Sequence, residues 1–379
     1  MGIDKAAVII GAVVMGTMPA QAQDTFWSFP QATSGYAEGV SDTGVVSGSG
    51  DGVNGFFIWT ANGGVVAVGG VPPGNGIGGQ GKISNDGARM GGNSINSGTG
   101  LSELSLYDVA AGTWTPLGGI GGSSGAETSS SWSISGDGQS IVGLGWVDGG
   151  TAHAAQWVQG VGLSDMGSSV AGQSSRASGV DLDGNVVCGW QDGNGRQGAV
   201  WVDGVQELIW ADVSVPAQEA LAVSDNGAYV TGMGYGDFVN PGVTYRYDTV
   251  QDLYEAIPNL AVGGEQNVAG AGITASGSTI VGGTWAWGVP ATFGRAFIWR
   301  EGVGTVPLAD YLDQAGVAYP TGYAFHFASD ISSDGRWITG WGGLGFAADE
   351  NFVVRLPDLV IFSDGFETGT TGEWDIVVP

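Results

Sequence analysis

The chain has 379 residues, of which 73 are glycine and 15 are tryptophan, and 37 acidic against 10 basic residues give a formal net charge of −27. A hydrophobic content of 42% excludes a disordered linker, and the lack of a Gly-X-Y period excludes collagen. Phosphate recognition needs clustered Lys and Arg, so nucleic acid is not an expected partner. A single Cys excludes a disulfide framework.

The first 22 residues have the pattern of a secretory signal peptide. Lys5 precedes an apolar run at residues 6–16, and a small-x-small cleavage site ends at Ala22. This run is about half of the roughly 20 residues that a membrane-spanning helix needs, and no later stretch is long and apolar enough to span a bilayer. The sequence therefore predicts cleavage after Ala22 and export to the medium, the cell surface or the periplasm.

A short pattern recurs along the chain: Val or Ile, then Ser, Thr or Asp, two further residues and a glycine. The seven turn glycines are Gly44, Gly87, Gly138, Gly184, Gly227, Gly277 and Gly335. The mean interval, from the first to the last in six steps, is about 48 residues. Asp-Gly and Asn-Gly dipeptides with β-branched flanks, such as Val186 and Val187, predict β-hairpins with two-residue turns of positive φ.

A looser motif that ends in an aromatic residue lies between these hairpins, as at residues 56–59 and 296–299. Tyr107 and Tyr247 occupy the matching place in two repeats, and a glycine-containing turn and another apolar run usually follow. Each repeat therefore predicts two hairpins, or four short strands. The only segment that favours a helix is 308–315.

Four strands in about 48 residues, seven times over, predict an all-β fold: a seven-bladed β-propeller over residues 23–357, with four short antiparallel strands per blade. Radial repetition protects the edges of the strands. A β-solenoid or two sandwiches are the alternatives.

The ends of the repeat array predict how the ring closes. The chain after residue 25 opens with an aromatic strand, and residues 351–356 form the third strand of a last unit with no evident fourth. We expect the N-terminal segment to supply that strand; residues 359–362 are the rival.

The alternation of V-S-x-D-G-x-x-V-V-G with H-A-F-x-W resembles the HAF repeat family of secreted bacterial proteins. The nearest copies of its aromatic motif are residues 153–157 and 296–299, and residues 307–357 are similar to the way such proteins end. The match spans residues 36–357 and is degenerate in the second and fifth units. This resemblance implies an extracellular protein with propeller-like blades, and it assigns no catalytic residue.

The last residues, 358–379, form a separate tail. The run from Ile361 to Gly369, with Trp374, is similar to a short acidic D-G-F-E-type tail at the ends of various secreted proteobacterial proteins. Sorting or attachment is one interpretation, and a flexible terminus is the other.

Candidates for catalysis are few. His153 lies inside a repeat motif and His326 in an alternating strand-like run, so structural roles are favoured for both. No nucleophile elbow opens a helix. Paired carboxylates for glycoside chemistry are possible in principle, but the abundance of acids makes no single pair informative.

Calcium is the one cofactor that the sequence suggests, and the signal is weak. Residues 181–185 resemble a fragment of a calcium loop but lack the distal bidentate acid. Asp before Gly is otherwise ordinary turn chemistry. The acidic surface favours solubility and a monomer.

Large aromatic residues follow the second glycine of the hairpin in five repeats. The six candidate binding residues are Trp146, Trp190, Tyr235, Trp285, Trp287 and Trp341. Exposed rings at one rim would stack on the apolar faces of sugars. The alternative is that they fill the wedges between neighbouring blades.

The sequence therefore predicts a secreted, non-catalytic binding or surface module with a glycan or protein partner. The alternative is an extracellular carbohydrate-active enzyme, a hydrolase or lyase, with carboxylates on the axis or rim. A structural or calcium-dependent adhesive role is the third hypothesis.

Overall fold

The computed structural model describes residues 25–31, 35–50, 55–212, 215–235, 242–260 and 265–357. The predicted signal peptide and the C-terminal tail lie outside these ranges, and so does the rival closing segment at 359–362. Within the described residues the regular secondary structure is almost entirely antiparallel β-strand, as the sequence predicts.

Thirty strands occur in the described residues. The first half comprises β1 (Phe26–Pro30), β2 (Tyr36–Val40), β3 (Val46–Ser49), β4 (Phe56–Thr60), β5 (Gly64–Gly69), β6 (Lys82–Ile83), β7 (Arg89–Ile95), β8 (Ser102–Asp108), β9 (Thr113–Pro116), β10 (Ser129–Ile134), β11 (Ser140–Trp146), β12 (Ala152–Val158), β13 (Gly162–Gly167), β14 (Ser175–Val180) and β15 (Val186–Gly193). The second half comprises β16 (Gly195–Val202), β17 (Val205–Leu208), β18 (Trp210–Asp212), β19 (Val215–Pro216), β20 (Ala220–Val223), β21 (Tyr229–Tyr235), β22 (Val243–Asp248), β23 (Leu253–Pro258), β24 (Asn267–Ile273), β25 (Thr279–Trp285), β26 (Arg295–Arg300), β27 (Gly304–Pro307), β28 (Ala324–Ile331), β29 (Trp337–Gly343) and β30 (Glu350–Arg355).

Helices are short. The helix α1 (Leu308–Gln314) confirms the one helical segment that the sequence favours, and a single 3₁₀ turn spans Ala291–Phe293. Leu308 and Leu312 lie four residues apart on one face of α1 and are fully buried. Neither helix in the described part of the chain has the length and apolar character needed to cross a bilayer.

The strands pair in sheets of four, each a simple meander. The order β2-β3-β4-β5 recurs as β6-β7-β8-β9, β10-β11-β12-β13 and β14-β15-β16-β17. The next two runs, β20 to β23 and β24 to β27, are joined by pairing of β21 with β24 into one larger sheet, and β18 and β19 form a separate small ribbon. The first strands of consecutive sheets contact one another in sequence, and β28 returns to β2. Antiparallel sheets packed around a common axis define the β-propeller fold.

The hairpin turns explain the repeated sequence pattern. All seven turn glycines have positive φ, between 69° and 86°, but positive φ at other residue types is confined, in the described ranges, to Asn75, Asp203 and Asp252. The prediction of two-residue turns is therefore wrong. The loop has three residues, a type I turn followed by a left-handed glycine, as shown by the bonds from the Gly44 N–H to the Ser41 carbonyl at 3.1 Å and from the Ser41 N–H to the Val45 carbonyl at 2.9 Å.

Side chains of the repeat motif hold this bend. The hydroxyl of Ser84 donates to the carboxylate of Asp86 at 2.6 Å, and it also accepts from the N–H of Arg89 at 3.1 Å. The same bond at the same distance joins Ser135 to Asp137. Serine and aspartate at this spacing are therefore explained by local hydrogen bonding.

The core is divided among the spaces between sheets. Each of the buried hydrophobic clusters in the described residues joins two neighbouring sheets. In one of them, Val142 of β11 packs with Trp201 of β16. A glycine on a second strand permits this close packing: a Cβ on Gly283 of β25 would lie 2.4 Å from the Phe327 ring of β28 in the next sheet. The wedge between sheets thus needs large rings on one side and small residues on the other.

The last sheet is completed by the N-terminus, as the sequence predicts. Strand β1 pairs antiparallel with β30 from Phe26 opposite Val354 to Pro30 opposite Glu350. Phe29 of β1 is 7% exposed and lies 5.9 Å from the ring of Phe57 and 5.7 Å from that of Trp59. The N-terminal strand therefore joins the last sheet to the first.

We expect Phe29→Ala to lower the free energy of unfolding by about 3–5 kcal/mol, the usual cost of truncating a buried ring. Chemical denaturation measures the change. Phe346→Ala is the matched control, since that ring is 87% exposed, and it should cost less than about 0.5 kcal/mol. Equal losses in the two variants would contradict the role given to β1.

Candidate functional site

Six of the seven strands that begin a repeat carry a β-bulge six residues before the turn glycine (β28 has a second bulge, at His326), and the extra residue has no partner on the next strand. These bulged residues are Glu38, Trp132, Ser178, Leu221, Ala271 and Ser329. All six line one cavity, and Lys82 of the short strand β6 joins them there. A bulge redirects one side chain without ending the strand, so the wall of this axial pocket is built from one repeated irregularity.

Aromatic rings form one side of the axial pocket. Trp341 stacks on Phe327 with ring centres 5.0 Å apart and planes at 21°, and the edge of Tyr36 meets Trp341 at 5.0 Å. The indole N–H of Trp341 donates to the Ala37 carbonyl at 3.0 Å. The pocket holds about 400 Å³, which is in the range of small-molecule sites.

A second, smaller cavity of about 80 Å³ follows along the axis, on the side of the hairpin turns. A ring of β-branched side chains, the collar, surrounds it. The collar consists of Val40, Ile83, Ile134, Val180, Val223, Ile273 and Ile331. These are the apolar residues that begin each copy of the sequence motif. The conserved apolar character of this position within the repeat therefore reflects a constriction of the axis.

Beyond the collar, the hairpin turns close the axis. Asp225 accepts hydrogen bonds from the Asn85 amide at 2.6 Å and from the Ser333 hydroxyl, and all three residues line the narrow end of the cavity. Burial and the neighbouring Asp334 and Asp225 carboxylates raise the pKa of Asp42 in the same ring of turns. The axial pocket is therefore open at one end only.

Charged groups are concentrated in the pocket wall. Glu38 accepts from the Gly81 N–H at 2.6 Å and the Ser49 hydroxyl at 2.8 Å, but burial outweighs these bonds and raises its pKa to about 7. Lys82 lies 3.6 Å from Asp330, whose carboxylate also accepts from the Val40 N–H. Lys82 is the only lysine after Lys5 in the whole sequence.

Arg176 is held against two indole rings. Its guanidinium carbon lies 3.6 Å from the ring centre of Trp132 and 5.2 Å from that of Trp190. Burial lowers the pKa of Arg176 to about 10, although Glu219 opposes the shift. The group stays protonated at neutral pH and presents a partly desolvated positive charge to the pocket.

The six aromatic residues that the sequence selects do not form one surface. Trp190 is 4% exposed and packs against arginines, so it takes the packing role and has no face for a ligand. Trp146 and Trp285 are half-buried: Trp146 donates to Glu127 at 3.0 Å, and Trp285 lies 6.2 Å from Phe327.

Two of the six differ from these. Trp341 lines the axial pocket, and Trp287 is 66% exposed on the loop after β25. Tyr235 ends strand β21, and its side chain is outside the described part of the structure. Trp190 therefore matches the alternative of packing between blades, and Trp287 and Trp341 are the members with a face open to solvent or to the pocket.

The histidines occupy separate places. His153 lies 2.9 Å from Asp165 on the surface, and His326 is buried with its Nδ1 3.0 Å from the Gly294 carbonyl. Asp181 accepts from the Gly184 N–H within its own turn at 2.9 Å. Searching the described residues reveals no cluster of three or more His, Cys, Asp or Glu that would hold a metal ion.

The bulged residues are the feature that sequence reasoning missed. Each lies six residues before its turn glycine, and this regular position was the available signal. Apart from the two serines, each bulged position has a different residue type, so residue identity does not mark the position in the sequence.

No protein-family model and no curated protein sequence matches the chain. Among solved structures, the oligogalacturonate lyase of Vibrio parahaemolyticus is similar, with a TM-score of 0.53 and 11% identity over 85% of this chain and 89% of that one. An oligogalacturonate lyase in complex with manganese gives 0.51, with 12% identity over 88% and 96% of the two chains. The β-propeller domain of the Trilobed protease from Pyrococcus furiosus gives 0.50, with 12% identity over 90% and 97%. These similarities establish the class of the fold, a β-propeller.

We expect Glu38→Gln to remove a pH-dependent loss of stability. The pKa of Glu38 rises from 4.5 to about 7 on folding, so the native state favours the protonated acid and loses stability as pH rises through this interval. The difference in unfolding free energy between variant and wild type should grow by up to about 3 kcal/mol from pH 4.5 to 7.5. Urea titrations at several pH values measure it.

Glu207→Gln, at an exposed position of β17, is the control for the loss of one acidic group. A difference between Glu38→Gln and wild type that does not change with pH would contradict the burial of an ionisable carboxyl at the axis.

Proposed function

We propose that the protein is a seven-bladed, exported propeller that acts as a non-catalytic binding module, and that its axial pocket receives a glycan. The blade count is supported by seven collar residues around one axis, six of them in strands that also carry a bulge, with the larger sheet counted as two blades. The observation that carries the binding proposal is the set of aromatic rings in a blind pocket that also contains polar and charged groups.

Saccharides match this wall in chemistry. The C–H face of a pyranose is apolar and stacks on aromatic rings. The rings of Trp341 and Tyr36 supply such a surface, and Tyr36 is 38% exposed. Gln80, Ser178 and Thr292 line the same cavity and are suited to hydroxyl groups.

The entrance of the pocket extends the apolar surface. Ala291 and Thr292 line the cavity, and the Thr292 carbonyl accepts from the N–H of Ala348 on the facing loop. Phe293 and Phe346 on these two loops are 40% and 87% exposed, with ring centres 5.4 Å apart. A ligand longer than the pocket would contact this rim, since exposed apolar groups of this kind mark interaction sites.

We expect Trp341→Ala and Tyr36→Ala to weaken binding of oligosaccharides by about 3- to 10-fold, the value of one aromatic contact. A glycan array identifies the ligand and calorimetry measures the loss. Trp210→Ala is the control, because that ring is 46% exposed on β18, which contributes nothing to the pocket lining. Thermal unfolding checks that each variant folds. Absence of glycan binding by the wild type would overturn the proposal.

A carbohydrate-active enzyme is the second candidate, and Glu38 is the observation that favours it. An acid with a pKa of about 7 suits general acid–base catalysis near neutral pH, and Asp330 supplies a second carboxylate beside Lys82. This candidate requires turnover of an oligosaccharide that is lost in Glu38→Gln. Measurement of reducing ends or unsaturated products decides between the two functions, because a binding module leaves the saccharide intact.

A further inference from the structure

The side chain of Arg176 makes weak use of its hydrogen-bond donors. Its Nε donates to Ser178 at 3.4 Å and its Nη2 to Glu219 at 3.3 Å, and both distances are long for charge-assisted bonds. Nη1 has no hydrogen-bond acceptor among the described residues. A guanidinium has five donors in a fixed plane, so this group keeps donors for a further acceptor.

Among the described residues, the one carboxylate that forms an ion pair with Arg176 is shared with another arginine. The second carboxylate oxygen of Glu219 accepts from Arg196 at the shorter distance of 2.7 Å. The side chain of Arg176 is 13% exposed, and a desolvated cation gains more from an opposite charge than an exposed one. The stacking on Trp132 fixes the plane of the guanidinium before a ligand arrives.

The pocket also differs in charge from the rest of the protein. Of the 10 basic residues in a chain with a net charge of −27, Lys82 and Arg176 line the axial pocket, whereas Glu38 is its one acidic lining residue. Below neutral pH, Glu38 is largely protonated, since its pKa is about 7. An acidic exterior around a pocket that contains two cations favours anions of defined shape over polyanions in general.

We infer that the axial pocket selects saccharides that carry a carboxylate, with Arg176 as the group that receives it and the Trp341 and Tyr36 rings as the surface for the sugar. This inference rests on the proposed function and specifies its ligand. A planar carboxylate accepts two parallel bonds from a guanidinium, and a hexuronate unit joins such a group to a pyranose ring. Arg176 is thus a specificity-determining residue.

Matched oligosaccharides test the inference. The probes are oligomers of glucuronate, galacturonate and mannuronate, their methyl esters, the corresponding neutral hexose oligomers, and 6-O-sulfated hexose oligomers. The wild type should bind one of the uronate series at least about tenfold more tightly than its methyl ester and its neutral counterpart. The methyl ester keeps the sugar ring and its carbonyl, removes the charge and adds one methyl group, and the neutral hexose controls for that added group.

Variants at Arg176 assign the selectivity to this residue. Arg176→Gln should reduce the ratio of acid to ester affinity to near one and change the affinity for the ester less than about threefold, since stacking is retained. Arg176→Lys keeps the positive charge but lacks the planar guanidinium that donates two parallel bonds, so it should give an intermediate ratio of acid to ester affinity. Arg336→Gln, which removes one charge from a side chain 57% exposed on a turn, should leave the ratio unchanged.

The outcomes separate the inference from the function on which it rests. Equal affinity for acid and ester, or tighter binding of the sulfated series, would overturn the inference and leave glycan binding intact. No binding of any series, together with an unreactive glycan array, would overturn the proposed function itself. If Arg176→Gln does not fold, the comparison of acid with ester in wild type and in Arg176→Lys still decides the question.

Discussion

The structure depends on hydrogen bonds that join each hairpin turn to the next around the axis. In every repeat the bend ends in a left-handed glycine, which places a backbone N–H and a carbonyl toward the neighbouring turns. Six of these bonds join a backbone N–H to a backbone carbonyl: Asp42 to Asn85 (2.9 Å), Asn85 to Gly136 (2.9 Å), Asp137 to Leu182 (3.0 Å), Leu182 to Asp225 (3.2 Å), Asn226 to Ala275 (3.4 Å) and Ala275 to Ser333 (2.9 Å). The seventh joins the N–H of Asp334 to the carboxylate of Asp42 at 3.0 Å and closes the circuit. Because this circuit is closed, the turns constrain the angle between neighbouring sheets. Large aromatic rings fill the wedge-shaped spaces between the sheets.

The circuit also determines where a ligand can enter. Turns that bond around the axis leave room only for short side chains at that end, and the aliphatic collar above them excludes anything larger than a few water molecules. The opposite end has no such linkage, so the pocket widens toward Tyr36 and the loops at Phe293 and Phe346. The proposed binding site consequently opens toward one face of the propeller.

The sequence predicted those features of the fold that follow from a short local motif with one conformation. Glycine after Asp or Asn specifies a reversal of the chain, and seven such signals at regular spacing gave the strands, the meander pairing and the use of the N-terminal strand beside β30. The turn type was wrong because Ser84 and its equivalents bond to the Asp side chain and stabilise a bend in which only the glycine is left-handed. The environment of each aromatic residue could not be predicted, because Trp190 and Trp341 occupy equivalent repeat positions but meet different neighbours, arginines in one case and Phe327 in the other. A tertiary difference of this kind leaves no mark on the local sequence.

The repeated bulge has a consequence for how this architecture can diversify. A bulged residue has no partner in the strand register, so glutamate, tryptophan, serine, leucine and alanine are all accommodated there in one chain. Glu38 and Ser329 also bond to the neighbouring repeat, but substitutions at Leu221 and Ala271 would change the lining of the pocket at little energetic cost to the fold. Different positions of the same repeat thus determine the fold and the lining of the pocket. Related propellers could therefore differ in the ligand that they bind and keep the same fold.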